Sequence, residues 1–427
     1  MPTAATPKAR FQLRHLRWLI CGLLFFATTL SYVDRYVLGI LKSVLMKDLG
    51  WNQTDYGVIQ FWFKLAYALM MPLAGRLLDW MGARLGNFLG VLIWSLAAMA
   101  HALASTVTHF SVARFVLGVG EAANFPAANK VVAMWFPRRE RASATGIFNS
   151  GSNLGSVFAL LTVPWLAHRY GWRAAFLLTG ALGFVWLVTW ATLFRDPDRH
   201  PWITAEERKL IEADAGEDTR DSVPAREILG RRALWVLVVA KFLTDPVWWF
   251  YLDWLPGFLN EKYKLDLMAL GLPLIVMYVG SSVGSIAGGS LSSWLLERGW
   301  PLNRARKTAM FVCALGALPV ALASHTLGNL WLLVTLVTVA AAAHQGWSAN
   351  LFTLASDLFP KSAVASVTGV MGMGGAIGGM LAAPITGLWL DWSGNAYGPL
   401  FLVASLAYVV AFVVMHLMAP RLIPEKS

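Results

Sequence analysis

FPRRERASATGIFNSGSNLG, residues Phe136–Gly155, and FPKSAVASVTGVMGMGGAIG, residues Phe359–Gly378, are one passage written twice. At a constant offset of 223 and without a gap, Phe-Pro, Ala-Ser, Thr-Gly and two later glycines coincide, eight identities in twenty positions. Gly151/Gly155 and Gly374/Gly378 are four apart, the spacing that lets helix backbones approach closely in lipid. A repeat at this separation predicts two halves sharing one fold. The surrounding chain fits a membrane setting, being 57% hydrophobic and 14% charged with mean hydropathy +0.55, where a soluble domain carries about 25% charged residues.

Apolar segments of about 20 residues are long enough to span a bilayer. Six lie near 17–40, 56–78, 84–104, 108–135, 142–167 and 174–194, and six more near 233–259, 269–296, 307–324, 328–358, 363–390 and 396–419. The expected fold is an all-α membrane protein of twelve transmembrane helices in two six-helix halves. Residues 1–194 and 233–427 form the halves, and 195–232 is a polar cytoplasmic linker with a helix-like TAEERKLIEADAG.

Lys and Arg set the orientation. With the N-terminus inside, inner segments hold twenty-four of these residues, among them Lys8, Arg10 and Lys426, and outer loops hold six. Both termini are therefore expected in the cytoplasm of a bacterial-type inner membrane. The net charge of +11 is then a topology signal, and nucleic acid is not an expected partner. Cys21 and Cys313 both fall inside apolar segments and suggest neither a disulfide nor a metal framework.

Some charges are left unexplained by topology. RFVLGVGEAANFPAANK, Arg114–Lys130, reads as a spanning helix with Arg114 and Glu121 two turns apart on one face. Mid-bilayer charges cost about 2.5–3.5 kcal/mol each even on a lenient scale, so they face a cavity or a partner. In the first span SYVDRY puts Tyr32 and Arg35 on a shared face, with Asp34 turned by about 100°. Lys64 and Tyr67 share a face in the second span. Asp34 with Arg114 is the expected neutralising pair, Lys241 with Asp245 a local one at four residues' spacing. Lys130 reads as an interface or snorkelling residue, and Asp253 as lining a cavity or nearing the surface. Further polar and aromatic candidates are Asn149, Ser152, Asn153, His344, Gln345, Asn350, Trp248, Trp249, Tyr251 and Trp347, a set suited to a polyhydroxylated anion.

GRLLDWMGAR, Gly75–Arg84, resembles the signature between the second and third helices of the major facilitator superfamily. YVDR and RFxxGxxEAxxxPA are similar to the anion:cation symporter family. KFLTDPVWWFYLDWLP, Lys241–Pro256, and AHQGWSANLFTLASDLFP, Ala343–Pro360, resemble its hexuronate transporters. The resemblance implies proton-driven uptake of a sugar acid such as galacturonate or glucuronate, with protons as coupling ion and no other cofactor. It implies that Asp34 and Glu121 are the protonatable pair and that Arg114 is the counter-charge sensing Asp34. Tyr32, Arg35 and Tyr67 would hold substrate, and Asn149, Ser152 and Asn350 would contact its oxygens. Gly75, Asp79 and the loop bases, Arg84 among them, would form the inner gate. Lys64 and Asp253 depart from the subgroup pattern, and Lys64 adds a second possible carboxylate ligand. Glu121, desolvated as the cavity closes, is expected to release its proton on the inner side.

The alternatives are symport of an aldonate or aldarate, or a sugar-acid sensor that moves nothing, for which the linker is a poor output domain. An enzyme is not expected, since no HExxH, GxSxG, phosphate-cradling loop or cysteine–histidine metal set is present. The expected partners are a small organic anion, protons and the bilayer, with the chain a monomer.

Overall fold

The computed structural model describes residues 13–51, 53–212, 223–265, 271–325, 328–394 and 396–421. Lys8, Arg10, Lys426 and the middle of the linker lie outside them. The first half comprises α1 (Leu16–Ile40), α2 (Gln53–Met81), α3 (Ala83–Ala100), α4 (Val107–Glu121), α5 (Asn124–Trp135), α6 (Arg138–Tyr170) and α7 (Trp172–Leu193). The linker contributes α8 (Ala205–Glu212). The second half comprises α9 (Arg232–Tyr263), α10 (Gly271–Glu297), α11 (Leu302–Ala317), α12 (Leu330–Leu358), α13 (Val364–Ser393) and α14 (Gly398–Met418).

Among the described residues ten helices are long and apolar enough to cross a membrane. The other two expected crossings fail that measure for separate reasons. Residues 108–135 are broken: Pro126 has no N–H to offer the Ala122 carbonyl, so α4 ends at Glu121 and α5 starts at Asn124. α6 is continuous over 33 residues, but its polar face carries Asn149, Ser152, Asn153 and Ser156. That face is turned inward, and all four side chains are buried. Such a helix is polar where it meets protein and apolar only where it meets lipid.

The repeat is visible as packing. Gly151 and Gly155 sit so close to the Phe25 and Thr29 carbonyls of α1 that a methyl group would overlap them. Their repeat partners meet α9: Gly378 lies as close to the Phe242 carbonyl, and Gly374 lies against the Val238 side chain and carbonyl. Gly146 presses on Ser285 of α10, and its partner Gly369 presses on Met71 of α2, so both contacts cross between the halves. Duplicated sequence thus produces duplicated helix contacts.

The described parts of the linker are docked against the helices. Glu207 of α8 accepts hydrogen bonds from the Leu16 and Arg17 amides at 3.0 and 3.1 Å, capping the start of α1. A carboxylate there satisfies free N–H groups and complements the positive end of the helix dipole. The Arg17 guanidinium lies between Glu207 and Glu140, at 2.8 and 2.7 Å. Arg76 donates to the Val223 carbonyl, holding the linker's far end against α2.

Candidate functional site

A cavity of about 100 Å³ lies between the two halves near the middle of the helices. Tyr32, Arg35 and Tyr67 line it from α1 and α2, and Asn149 and Ser152 from α6. Trp248, Trp249, His344 and Gln345 line the facing wall from α9 and α12. Nine of the residues expected to bind substrate therefore come together in one place.

The first-half wall is built around Arg35. Its guanidinium carbon lies 4.5 Å from the Tyr32 ring centroid, 4.8 Å from Tyr67 and 5.1 Å from Phe63. Tyr32 reaches it from one turn back on α1, while Phe63 and Tyr67 are one turn apart on α2 and nearly parallel. Nε and Nη2 both donate to the same oxygen of Glu121, at 2.9 and 2.6 Å. The other Glu121 oxygen is buried with no hydrogen-bond partner. Because α4 ends at Glu121, this acid sits at the helix break in mid-bundle.

Arg114 and Asp34 do not pair, contrary to the sequence expectation. Arg114 is fully buried, and its Nη2 donates to the Arg35 carbonyl at 3.1 Å. Asp34 is turned away from Arg35 toward α7, beside Thr179, and neither of its oxygens makes a hydrogen bond within 3.5 Å. The two charges flank the Arg35–Glu121 pair from behind. Sharing a depth was not enough, because the two side chains leave their helices in different directions.

On the facing wall Lys241 pairs with Asp245 at 3.0 Å, as their spacing suggests, and both also line the cavity. The Asn149 amide bridges the halves, donating to Gln345 Oε1 at 2.7 Å and to Ser285 Oγ at 2.9 Å. His344 lies flat against Trp248, with ring centroids 5.1 Å apart and planes within 3°. Asn350 is not at the cavity. Its amide donates to the Gly288 and Gly346 carbonyls, both at 2.9 Å, where α12 packs on α10. Trp347 and Tyr251 are likewise buried within the second half.

Toward the end of the bundle that carries the linker, the cavity is sealed. Phe125 and Phe352 stack across the halves at 5.1 Å. One turn further, the Asn129 amide donates to the Phe352 carbonyl and Thr368 Oγ1. Below these, Asp79 accepts from Lys130 at 2.7 Å and from the Ser366 amide at 2.7 Å, so it caps α13 of the other half. Lys130 is thus the partner of Asp79, which sequence reasoning missed. Gly75 makes the approach possible, since any side chain there would strike the Ala365 carbonyl. Arg84 has a different task from the expected one: it donates to the Ala191 carbonyl near the end of α7 and does not reach across the halves. In the second half, Asp357 holds Arg306 at 2.8 Å and Arg141 of α6 at 3.5 Å.

At the opposite end, Lys64 and Asp253 face each other across the halves at 3.9 Å, with side chains 39% and 40% exposed. Lys64 Nζ also lies 5.3 Å from the Trp249 ring, at the mouth of the cavity. Tyr36 and Tyr278 meet nearby with centroids 6.5 Å apart. The two residues that depart from the subgroup pattern are therefore partners. Among the described residues no three His, Cys, Asp or Glu side chains cluster as metal ligands would. The donors here suit an oxygen-rich anion: one aromatic-boxed guanidinium, amides, hydroxyls and an imidazole.

Comparison with known proteins agrees with this geometry. The family model described as Major Facilitator Superfamily matches residues 24–383. The hexuronate transporter of Escherichia coli (strain K12) is 31% identical over 403 residues, covering 92% of each chain. The probable galactarate/D-glucarate transporter of the same organism is 27% identical over 419 residues, covering 92% of this chain and 93% of that one. Among solved structures, the crystal structure of the transporter FucP in the outward conformation superposes with a TM-score of 0.71 at 17% identity, over 95% of this chain and all of that one.

Proposed function

The chain belongs to the major facilitator superfamily, and we propose that it carries sugar acids, hexuronates such as galacturonate or glucuronate foremost, into the cell together with protons by alternating access. The family and the relatives are transporters, not enzymes. In this reading the chain works as a monomer in a bacterial inner membrane. Both termini and the linker are cytoplasmic, and the cavity opens outward.

The observation that carries the reading is the state of Arg35. Three aromatic rings fix its guanidinium at the cavity wall, and Glu121 already takes two of its five N–H donors, on Nε and Nη2. The other cation lining the cavity, Lys241, is likewise matched with Asp245, and Lys64 beside Trp249 is matched with Asp253. An incoming carboxylate can replace Glu121 on Arg35 only if Glu121 ceases to be a buried, unpaired anion. Leaving one partner of a buried pair uncompensated costs roughly 3–5 kcal/mol, a factor of a hundred or more in affinity. Proton uptake by Glu121 removes that cost, so anion and proton bind together. Asp34, close behind and without a hydrogen bond of its own, is the second proton site, and Arg114 biases both acids.

Uptake of labelled galacturonate and glucuronate by proteoliposomes, with and without an imposed proton gradient, tests the reading. Concentrative uptake that collapses with the gradient is expected. Glu121→Gln should retain exchange of internal for external substrate while losing accumulation. Accumulation by that variant would sink the coupling assignment. A second reading, preference for a diacid such as galactarate, is favoured by Lys64, a cation one turn from Tyr67 toward the mouth. Galactarate outcompeting galacturonate in the same assay would establish it.

A further inference from the structure

Behind the second-half wall stands a residue the transport reading does not use. Tyr408 of α14 is fully buried, and its hydroxyl lies 2.6 Å from Nδ1 of His344. Among the described residues the Tyr408 hydroxyl makes no other hydrogen bond. Its ring also meets the edge of Trp347, whose indole N–H is a donor and cannot accept from it. A phenol has one hydrogen. If Nδ1 donated to the oxygen, that hydrogen would be sealed in the core without an acceptor, a loss comparable to a full hydrogen bond. The phenol therefore donates, and Nδ1 accepts.

The consequence passes through the ring. A neutral imidazole that accepts at Nδ1 carries its proton on Nε2, and an imidazolium would have no acceptor to offer. Among the described residues Nε2 has no partner, it is not one of the sealed, unpaired buried atoms, and His344 lines the cavity. Trp248 holds the ring flat on one face, so its direction is fixed as well as its tautomer.

We infer that Tyr408 is a positioning residue that locks His344 as an Nε2–H donor, and that this donor requires an acceptor oxygen on the part of the substrate facing the second half. The inference rests on the sugar-acid reading for the ligand, but not for the tautomer. Arg35 on the opposite wall takes the charged end, so the two walls divide one molecule by chemistry.

The test has two arms. Solid-state ¹⁵N NMR of the full-length, histidine-labelled protein in bilayers should show His344, identified by its loss in His344→Gln, with Nε2 protonated. Tyr408→Phe should release the ring to a tautomer mixture. An Nδ1-protonated ring in the intact protein, or a spectrum unchanged by Tyr408→Phe, overturns the inference whatever is transported. In uptake assays Tyr408→Phe should raise KM for galacturonate by roughly tenfold, the scale of one lost neutral hydrogen bond, with maximal rate changed by less than about twofold. Against a His344→Gln background, whose side-chain amide presents a donor needing no tautomer, Tyr408→Phe should add nothing. A further tenfold loss there would mean that the phenol merely supports the fold. Absence of any sugar-acid uptake by the intact protein would instead defeat the transport reading and leave the NMR arm to decide this one.

Discussion

The two ends of the bundle are joined by different materials. At the linker end, Asp79 takes Lys130 and an α13 amide, Asn129 takes a carbonyl and a hydroxyl across the halves, and Asp357 gathers Arg306 and Arg141. These groups are buried, and several of the partners are backbone, which cannot move without moving a helix. At the other end, two half-exposed side chains face each other at 3.9 Å beside a tyrosine pair. Solvent screens such a pair, and its worth is at most about 1 kcal/mol. One end is closed by a cooperative network and the other is only bridged. The difference keeps the linker end shut in this structure and leaves the other end the easier of the two to part. In the transport reading proposed above, substrate binding would supply the free energy for opening the linker end.

The largest effect should come from Asp79→Ala. It removes the α13 cap and leaves Lys130 buried without its partner, a loss of roughly 3 kcal/mol. Distances between spin labels on α2 and α13 at the linker end should lengthen in the absence of substrate. Unchanged distances would mean that the glycine contacts alone hold that end shut. Next comes Asn129→Ala, which deletes two buried bonds across the halves and should cost about 1–2 kcal/mol in thermal unfolding, with a smaller opening in the same distance. The smallest effect belongs to Lys64→Gln with Asp253→Asn, expected to change stability by less than about 1 kcal/mol and to do so only at low salt. A drop as large as that of Asp79→Ala would erase the contrast between the ends.

Much of the fold could be read from the chain because membrane constraints are one-dimensional. Apolar length sets the spans, and the passage at Phe136 and Phe359 reveals the duplication. The site was legible to the extent that helical periodicity fixes faces. Tyr32 with Arg35, Lys64 with Tyr67 and Lys241 with Asp245 all follow from it. Periodicity does not say where a long side chain ends. Arg35 rather than Arg114 reaches Glu121, and Arg84 turns to a helix end instead of the gate. Asn350 shows a second limit, one the chain itself contained. It lies five residues from Gln345, about 140° around the helix, so a cavity face holding Gln345 could not easily hold both. Lys64 with Asp253 was invisible for another reason: the pair joins two helices nearly 190 residues apart, and nothing local connects them.

The cap on α1 carries a consequence for how this protein is made. Leu16 and Arg17 emerge early in synthesis, but Glu207, which receives both amides and the guanidinium, follows 190 residues later. Until then the start of the first helix is unfinished, although all six crossings of its own half have been made. Completion of the first half therefore waits for the linker, which works as a clasp fastened at mid-synthesis. A chain cut before Glu207 lacks the clasp, whereas a cut just after α8 retains it.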